Sequence, residues 1–236
     1  MPTKTFLNLP APKRAQIETA AILEFADKGL RGASVNAIVA RAGIAKGSYY
    51  QYFSGMEDIF QHVLSIARQK KLALANALGA SNGRDLFAYL RWLFQVEILF
   101  ELREPELAAI EHEAFLQSLK SPGTEDENTP LIGGASFFNE FLAQGILADD
   151  VATWVDTKLA ANLLGAVYHL GNRQLIARLG ENAEALRSGK VDIREDPLTQ
   201  SLLDNLMDLL EANFTYKTGS TNNNTTALDA LTQGCG

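Results

Sequence analysis

From Lys13 onward, apolar residues recur at Ile17, Ala20, Ala21 and Phe25, the spacing of one helical face. Gly29 stands where such a helix stops in a left-handed cap. Ser34 is a good N-cap for a second helix, whose buried face is Val35, Ile38, Val39 and Ala42. Gly43 ends that helix. Only Ile44 and Ala45 separate it from another helical segment beginning near Lys46. Short helix, glycine turn, short helix is the length pattern of a helix-turn-helix. Ser54-Gly55 then breaks the chain. Met56 to about Leu78 reads as a fourth helix, with Ile59, Phe60, Val63, Leu64 and Ala67 on one face.

Helical periods continue to near the end of the chain. The pattern predicts helices over Arg84–Arg103, Pro105 to about Leu119, and Leu131–Gln144 with Phe137, Phe138 and Phe141. A long, mainly apolar helix is predicted from Val151 to about Arg178. A last helix opens at Asp196-Pro197, a cap followed by a first-turn proline, and runs to about Phe214. Residues 121–130 are polar and acidic, which predicts an exposed loop, and 145–150 predict a turn. Residues 1–12 read as a short arm closed by Pro10 and Pro12. Residues 217–236 are polar and low in bulk, a composition that favours disorder. The expected fold class is all-α, with divisions at 1–12, 13–60, 61–216 and 217–236.

Composition agrees, since 47% of the 236 residues are hydrophobic and 21% charged, enough for a substantial core. The net charge of −7 argues against a nucleic-acid partner, but its distribution argues for one. Residues 1–53 hold seven basic and three acidic residues, so this segment is +4 and the remainder −11. A basic module on an acidic body suits local contact with a polyanion, although clustering by chance gives the same picture. The segment near Lys46–Tyr52 sharpens the choice. Tyr49 and Phe53 are four apart and can pin it to the core, leaving Lys46, Ser48, Tyr50, Gln51 and Tyr52 on the other faces. These side chains can donate to phosphates and base edges, and no acid accompanies them. A tyrosine-rich helix packed under another domain is the alternative.

The residues Arg14-x-x-Ile17-x-x-Ala20-Ala21, Phe25-x-x-x-Gly29, Ser34-Val35-x-x-Ile38-Val39, Ala42 through Phe53 and Glu57-Asp58-Ile59-Phe60 resemble the DNA-binding signature of TetR-family regulators. The resemblance covers about the first quarter of the chain. It implies a three-helix DNA-binding head (13–60) joined by a long helix to a ligand-binding and dimerisation body (61–216). It implies that Ser34 touches phosphate, that Lys46, Ser48 and Gln51 face the major groove, and that Gly47 allows close approach. Tyr50 and Tyr52 would hold the sugar-phosphate backbone, and Lys13 and Arg14 would touch flanking phosphates or merely solvate their helix. Two positions depart from the family pattern. Ala45 stands where a capping Ser is common, and Met56 replaces a usual Lys, so one phosphate contact is expected to be missing.

The family's bodies diverge, so the body residues say less. The resemblance implies a homodimer built from the last two long helices, here carrying Leu159, Ala160, Leu163, Leu164, Ala166 and Val167 around Gly165, and Leu202, Leu203, Leu206, Leu209 and Leu210. Both stripes could equally serve an internal core. It implies a double-stranded operator, near-palindromic, from which a small hydrophobic effector releases a repressor. Candidate effector-binding residues are Trp92, His112, Phe115, Phe137, Phe141, Tyr168 and His169, with Tyr89, Phe94, Phe100 and Trp154 as further aromatics; plain core packing is the competing role. An enzyme is the other reading. Glu111-His112-Glu113 is the conspicuous cluster, yet adjacent helical residues point about 100° apart and cannot converge. No metal-binding or phosphate-loop motif appears. A helical ligand- or partner-binding protein without sequence-specific DNA binding is also compatible. No cofactor or metal is expected. The single cysteine, Cys235, permits no intrachain disulfide, and with no signal-like or membrane-length apolar run the expected location is the cytoplasm.

Overall fold

The computed structural model describes residues 2–79, 81, 85–120 and 133–215, and among these no strand occurs. The elements are α1 (Lys4–Leu7), α2 (Ala11–Gly32), α3 (Val35–Arg41), α4 (Lys46–Tyr52), α5 (Met56–Leu78), α6 (Leu86–Arg103), α7 (Pro105–Lys120), α8 (Ala135–Leu147), α9 (Thr157–Ala166), α10 (Asn172–Leu179), α11 (Asn182–Arg187) and α12 (Pro197–Phe214). A π-helical turn, Val167–Gly171, joins α9 to α10. None of the described helices is long and apolar enough to cross a membrane.

The first five elements form where the periodicity puts them. Ile17, Ala20, Ala21 and Phe25 are all buried along α2. Gly29 takes φ 64°, a kink from which α2 continues to Gly32. Ser34 caps α3, its Oγ accepting from the Ala37 N–H at 3.2 Å. Gly43 sits at φ 57°, the left-handed region that costs glycine least, and makes the turn between α3 and α4. Ala45 precedes α4 with no side-chain cap.

Residues 1–12 differ from a simple arm. Phe6 on α1 is fully buried and packs on Phe53 at 4.7 Å and His62 at 5.3 Å. The Thr3 N–H donates to the Tyr52 carbonyl (3.0 Å) and its hydroxyl to the Gln51 carbonyl (2.7 Å). The segment thereby satisfies carbonyls that the end of α4 would otherwise leave open. Further along, the expected turn at 145–150 shortens. Gly145 is buried in α8, where a Cβ would meet Leu86 at 2.5 Å and Val151 at 2.8 Å, so its small size serves packing instead of termination. The expected long helix starts at Thr157, not Val151, because the Asp156 carboxylate caps it by accepting from the Lys158 and Leu159 N–H groups. Val151, Ala152 and Val155 are buried in non-helical chain, which periodicity alone cannot separate from helix. Helix α11, with Leu186 its one buried residue, is too short to show a period. The predicted loop at 121–130 and the tail at 217–236 lie outside the described residues.

Two cores hold the molecule. One joins α1 to α5 and takes in Phe100, Leu107, Ala108 and Ile110 from α6 and α7, so the head is mounted on the body by shared apolar packing. The other surrounds α6, whose residues from Leu93 to Phe100 are buried on every side, and gathers α8, α9 and α12. Gly165 belongs to this interior. A Cβ there would meet Phe115 at 2.9 Å and the Gly133 carbonyl at 3.2 Å, so the close approach it permits is internal, not to a partner helix.

Candidate nucleic-acid interface and effector site

Helix α4 is fixed from beneath. Tyr49 and Phe53 are fully buried, as their spacing predicts, and the Tyr49 hydroxyl donates to the Gly55 carbonyl at 3.0 Å. Burial pushes that phenol up to about 12, so it remains a neutral donor. With those two anchors inside, Lys46, Gly47, Tyr50 and Gln51 are exposed, and Ser48 is half-buried. Tyr50 is 54% exposed, high for so large an aromatic ring. Nothing lies within 4 Å of where a Gly47 Cβ would be, so no neighbour in this chain requires glycine there. The helix, KGSYYQY, contains no acid. Tyr52 differs from the others: it is half-buried, with its ring 6.0 Å from Phe6. Ser34 is exposed, but its hydroxyl is engaged in capping and its N–H donates to Glu24 at 3.2 Å. Arg14 donates to the Leu7 carbonyl (2.6 Å) and Lys13 to Gln16 (3.2 Å), which ties both to the surface of their own segment.

In the body, the structure brings most of the candidate effector residues into one connected aromatic group. Phe115 stacks on His169 at 4.4 Å, and His169 lies 5.2 Å from Tyr168. Tyr168 meets Phe138 at 5.7 Å, and Phe138 links to Phe137 and Phe141. His112 Nδ1 lies 3.3 Å from the His169 carbonyl. Trp92 stands apart, tied by its Nε1–H to the Gly79 carbonyl at 2.8 Å, although Tyr89 bridges it to Phe141. Trp154 is 67% exposed and lines nothing internal. Both Tyr168 and His169 sit on the π-helical turn, a feature frequent at functional sites.

The sequence analysis missed the ionic centre beside this group. Lys71 of α5 is fully buried and pairs with Glu97 of α6 at 2.7 Å and with Glu111 of α7. Its Nζ also lies over the rings of Phe100 (4.6 Å) and Tyr168 (5.7 Å). Burial pushes the Glu111 carboxyl up, and Lys71 pulls it partly back. Burial holds His169 well below the usual imidazole range, with the Lys71 charge adding to the effect, so it is neutral. Lysine at 71 falls on the apolar face of α5 and no partner adjoins it in sequence, which is why only the fold shows the trio. The Glu111-His112-Glu113 run also resolves. Glu111 holds Lys71, His112 approaches the π-helical turn, and Glu113 accepts from the Leu30 N–H of α2 at 3.2 Å. The three side chains reach three different elements, as the helical angle requires.

A helix-turn-helix head with an acid-free, outward-facing second helix, set on a helical body, defines a DNA-binding transcriptional regulator. Residues 17–63 match the sequence profile of bacterial regulatory proteins of the tetR family. The chain is similar to a TetR family transcriptional regulator from Chloroflexus aurantiacus, at 32% identity over 92% of this chain and 100% of that one, TM-score 0.68. It shares its fold with FadR from Bacillus subtilis, solved with stearoyl-CoA, at 18% identity over 85% and 98% of the two chains, TM-score 0.52. The same holds for the ketosteroid regulator KstR2 of Mycobacterium tuberculosis, at 16% identity over 89% and 98%, TM-score 0.53. No functionally curated sequence matches the chain. The chain belongs to the TetR family.

Proposed function

We propose that this regulator is a homodimeric repressor, acting in the cytoplasm, that leaves a near-palindromic operator when a small apolar effector enters the body. Residues 13–60 form the reading head, steadied by 1–12, and 61–216 the sensing and dimerising body. The observation that carries the DNA reading is the outward face of α4, where Lys46, Ser48 and Gln51 are offered to the major groove and Gly47 leaves open space for close approach. Tyr50 and, at its hydroxyl edge, Tyr52 grip the backbone, with Ser34 at a flanking phosphate. Leu159, Leu163 and Leu209 are more than half exposed, while Ala160, Leu164 and Leu203 on the same helices are buried. Such two-sided stripes serve a core and a partner together. A two-fold dimer sets two α4 helices one DNA turn apart, about 34–36 Å.

Effector signalling then runs through α7. An effector that displaces the π-helical turn moves the His112 contact, and Glu111 and Glu113 carry the shift to α5 and to the head. Release is a population shift between head spacings that do and do not fit adjacent grooves. The test is selection of bound sequences from random duplexes at several salt concentrations. The expected result is an inverted repeat with half-sites about one turn apart and affinity falling steeply with salt. A folded protein that enriches no sequence at low salt would refute the operator reading.

A further inference from the structure

The effector proposed above has a chemistry that the buried polar atoms specify, and the inference here rests on that reading. Four polar side-chain atoms around the π-helical turn are buried and make no hydrogen bond: Tyr168 Oη, His169 Nε2, Asn172 Oδ1 and Glu97 Oε2, the last in ionic contact with Lys71 but off hydrogen-bonding angle. Their residues are at most 6% exposed. Buried polar groups are nearly always satisfied, and leaving several open in one region marks a place for an absent partner. They adjoin the aromatic surfaces of Phe94, Phe115 and Phe138.

The charges around them exclude two classes of head group. A carboxylate or phosphate needs a free cation or several donors. Lys71 is already shared between two carboxylates, and His169 is neutral. An ammonium needs the position between Glu97 and Glu111 and over the rings of Phe100 and Tyr168, which Lys71 already fills. What remains unsatisfied is a phenolic O–H able to donate and three acceptors: imidazole nitrogen, amide oxygen and carboxylate oxygen. A hydroxyl both accepts and donates, and it brings no charge to desolvate.

We propose that the body binds an uncharged, hydroxyl-bearing apolar molecule, its hydroxyl accepting from Tyr168 and donating to Glu97 or His169, its apolar part on Phe115 and Phe138. The test uses three probes of one chain length, 1-decanol, decylamine and decanoate, with the full-length protein. Thermal unfolding reads binding without DNA, and fluorescence anisotropy with a duplex selected as above reads release. Decanol is expected to bind at least tenfold more tightly than either charged probe and to raise Tm in proportion to the logarithm of its concentration. Tyr168→Phe, which keeps the ring and removes the hydroxyl, is expected to weaken decanol about tenfold while the unliganded Tm holds or rises. Glu97→Gln serves as a second variant, expected to weaken decanol without admitting decanoate. Equal or tighter binding of decanoate or decylamine, no effect of Tyr168→Phe, or no binding of any probe would overturn the assignment. A failed duplex selection beside a normal decanol response would instead sink the operator reading and leave this one standing.

Discussion

Replacing Lys71 by Met leaves Glu97 and Glu111 facing each other in the interior without a cation. Lys71 is 1% exposed, so water does not fill the place of the ammonium. Removing one partner of a buried ionic network costs roughly 3–5 kcal/mol, because the remaining charge is uncompensated. At about 2–4 °C per kcal/mol for a chain of this size, Tm is expected to fall by roughly 6–20 °C at pH 8. The pH dependence follows from the direction of the shifts. In the variant at least one carboxyl must take a proton in the folded state, so its folded pKa rises above the unfolded value near 4.3. A raised carboxyl pKa favours the folded protein fully below that unfolded value, and the contribution is lost as pH rises through the folded pKa. Glu111 already leans this way in the native protein. Lys71, itself raised by the two carboxylates against its burial, offsets that loss through the neutral range and up to its own titration in strong alkali. The deficit of Lys71→Met is therefore smaller at pH 5 than at pH 8. Urea unfolding at both pH values and fixed protein concentration measures it. Replacing the whole trio with Met and two Leu residues is expected to recover most of the loss. A single-variant deficit below about 1 kcal/mol at pH 8, or an equal deficit at both pH values, would refute the reasoning.

Three other outcomes are expected. Tyr50→Ala lowers operator affinity about tenfold, or ~1.4 kcal/mol, with an unchanged salt slope, whereas Lys46→Ala makes the slope shallower by about one unit; anisotropy titrations across salt separate the two. Leu163→Glu places a charge on an exposed stripe position and is expected to give folded monomer in sedimentation, with operator binding lost. Glu113→Ala removes the acceptor of the Leu30 N–H and is expected to weaken the operator about tenfold, while Glu113→Gln, which keeps an acceptor, restores most of it.

The helices of the head were legible because each has a local cause visible in the chain: an apolar stripe on α2, a serine cap on α3, a glycine turn before α4. The same holds for α12, where Asp196 and Pro197 mark the start and the Asp196 carboxylate accepts from the Thr199 N–H at 2.8 Å. What the sequence hides is any feature made by non-local contact. The cap that Thr3 supplies to α4 joins residues 48 positions apart. The π-helical turn has no pattern signature, and its consequence, two adjacent residues both buried, reads in sequence as ordinary helix. Glycine was ambiguous for the same reason: Gly43 ends a helix by its φ, while Gly145 and Gly165 lie inside helices because neighbours press against them.

The Glu111-His112-Glu113 run shows how one geometric fact excludes one role and supplies another. Three consecutive side chains on a helix diverge by about 100° each, which prevents them from gathering around one substrate or metal. Divergence is what a junction needs. From one turn of α7 the run reaches Lys71 on the helix leading to the head, the carbonyl of His169 on the sensing turn, and the backbone of α2 beside Gly29. Gly29 marks the last of these, since a Cβ there would lie 2.3 Å from the Glu113 carboxylate, so the body side chain and the missing head side chain occupy one space. Elements so joined cannot shift independently. A displacement at the π-helical turn must strain the Glu113 contact or be followed by the head, and that mechanical dependence is what an effector-controlled regulator requires.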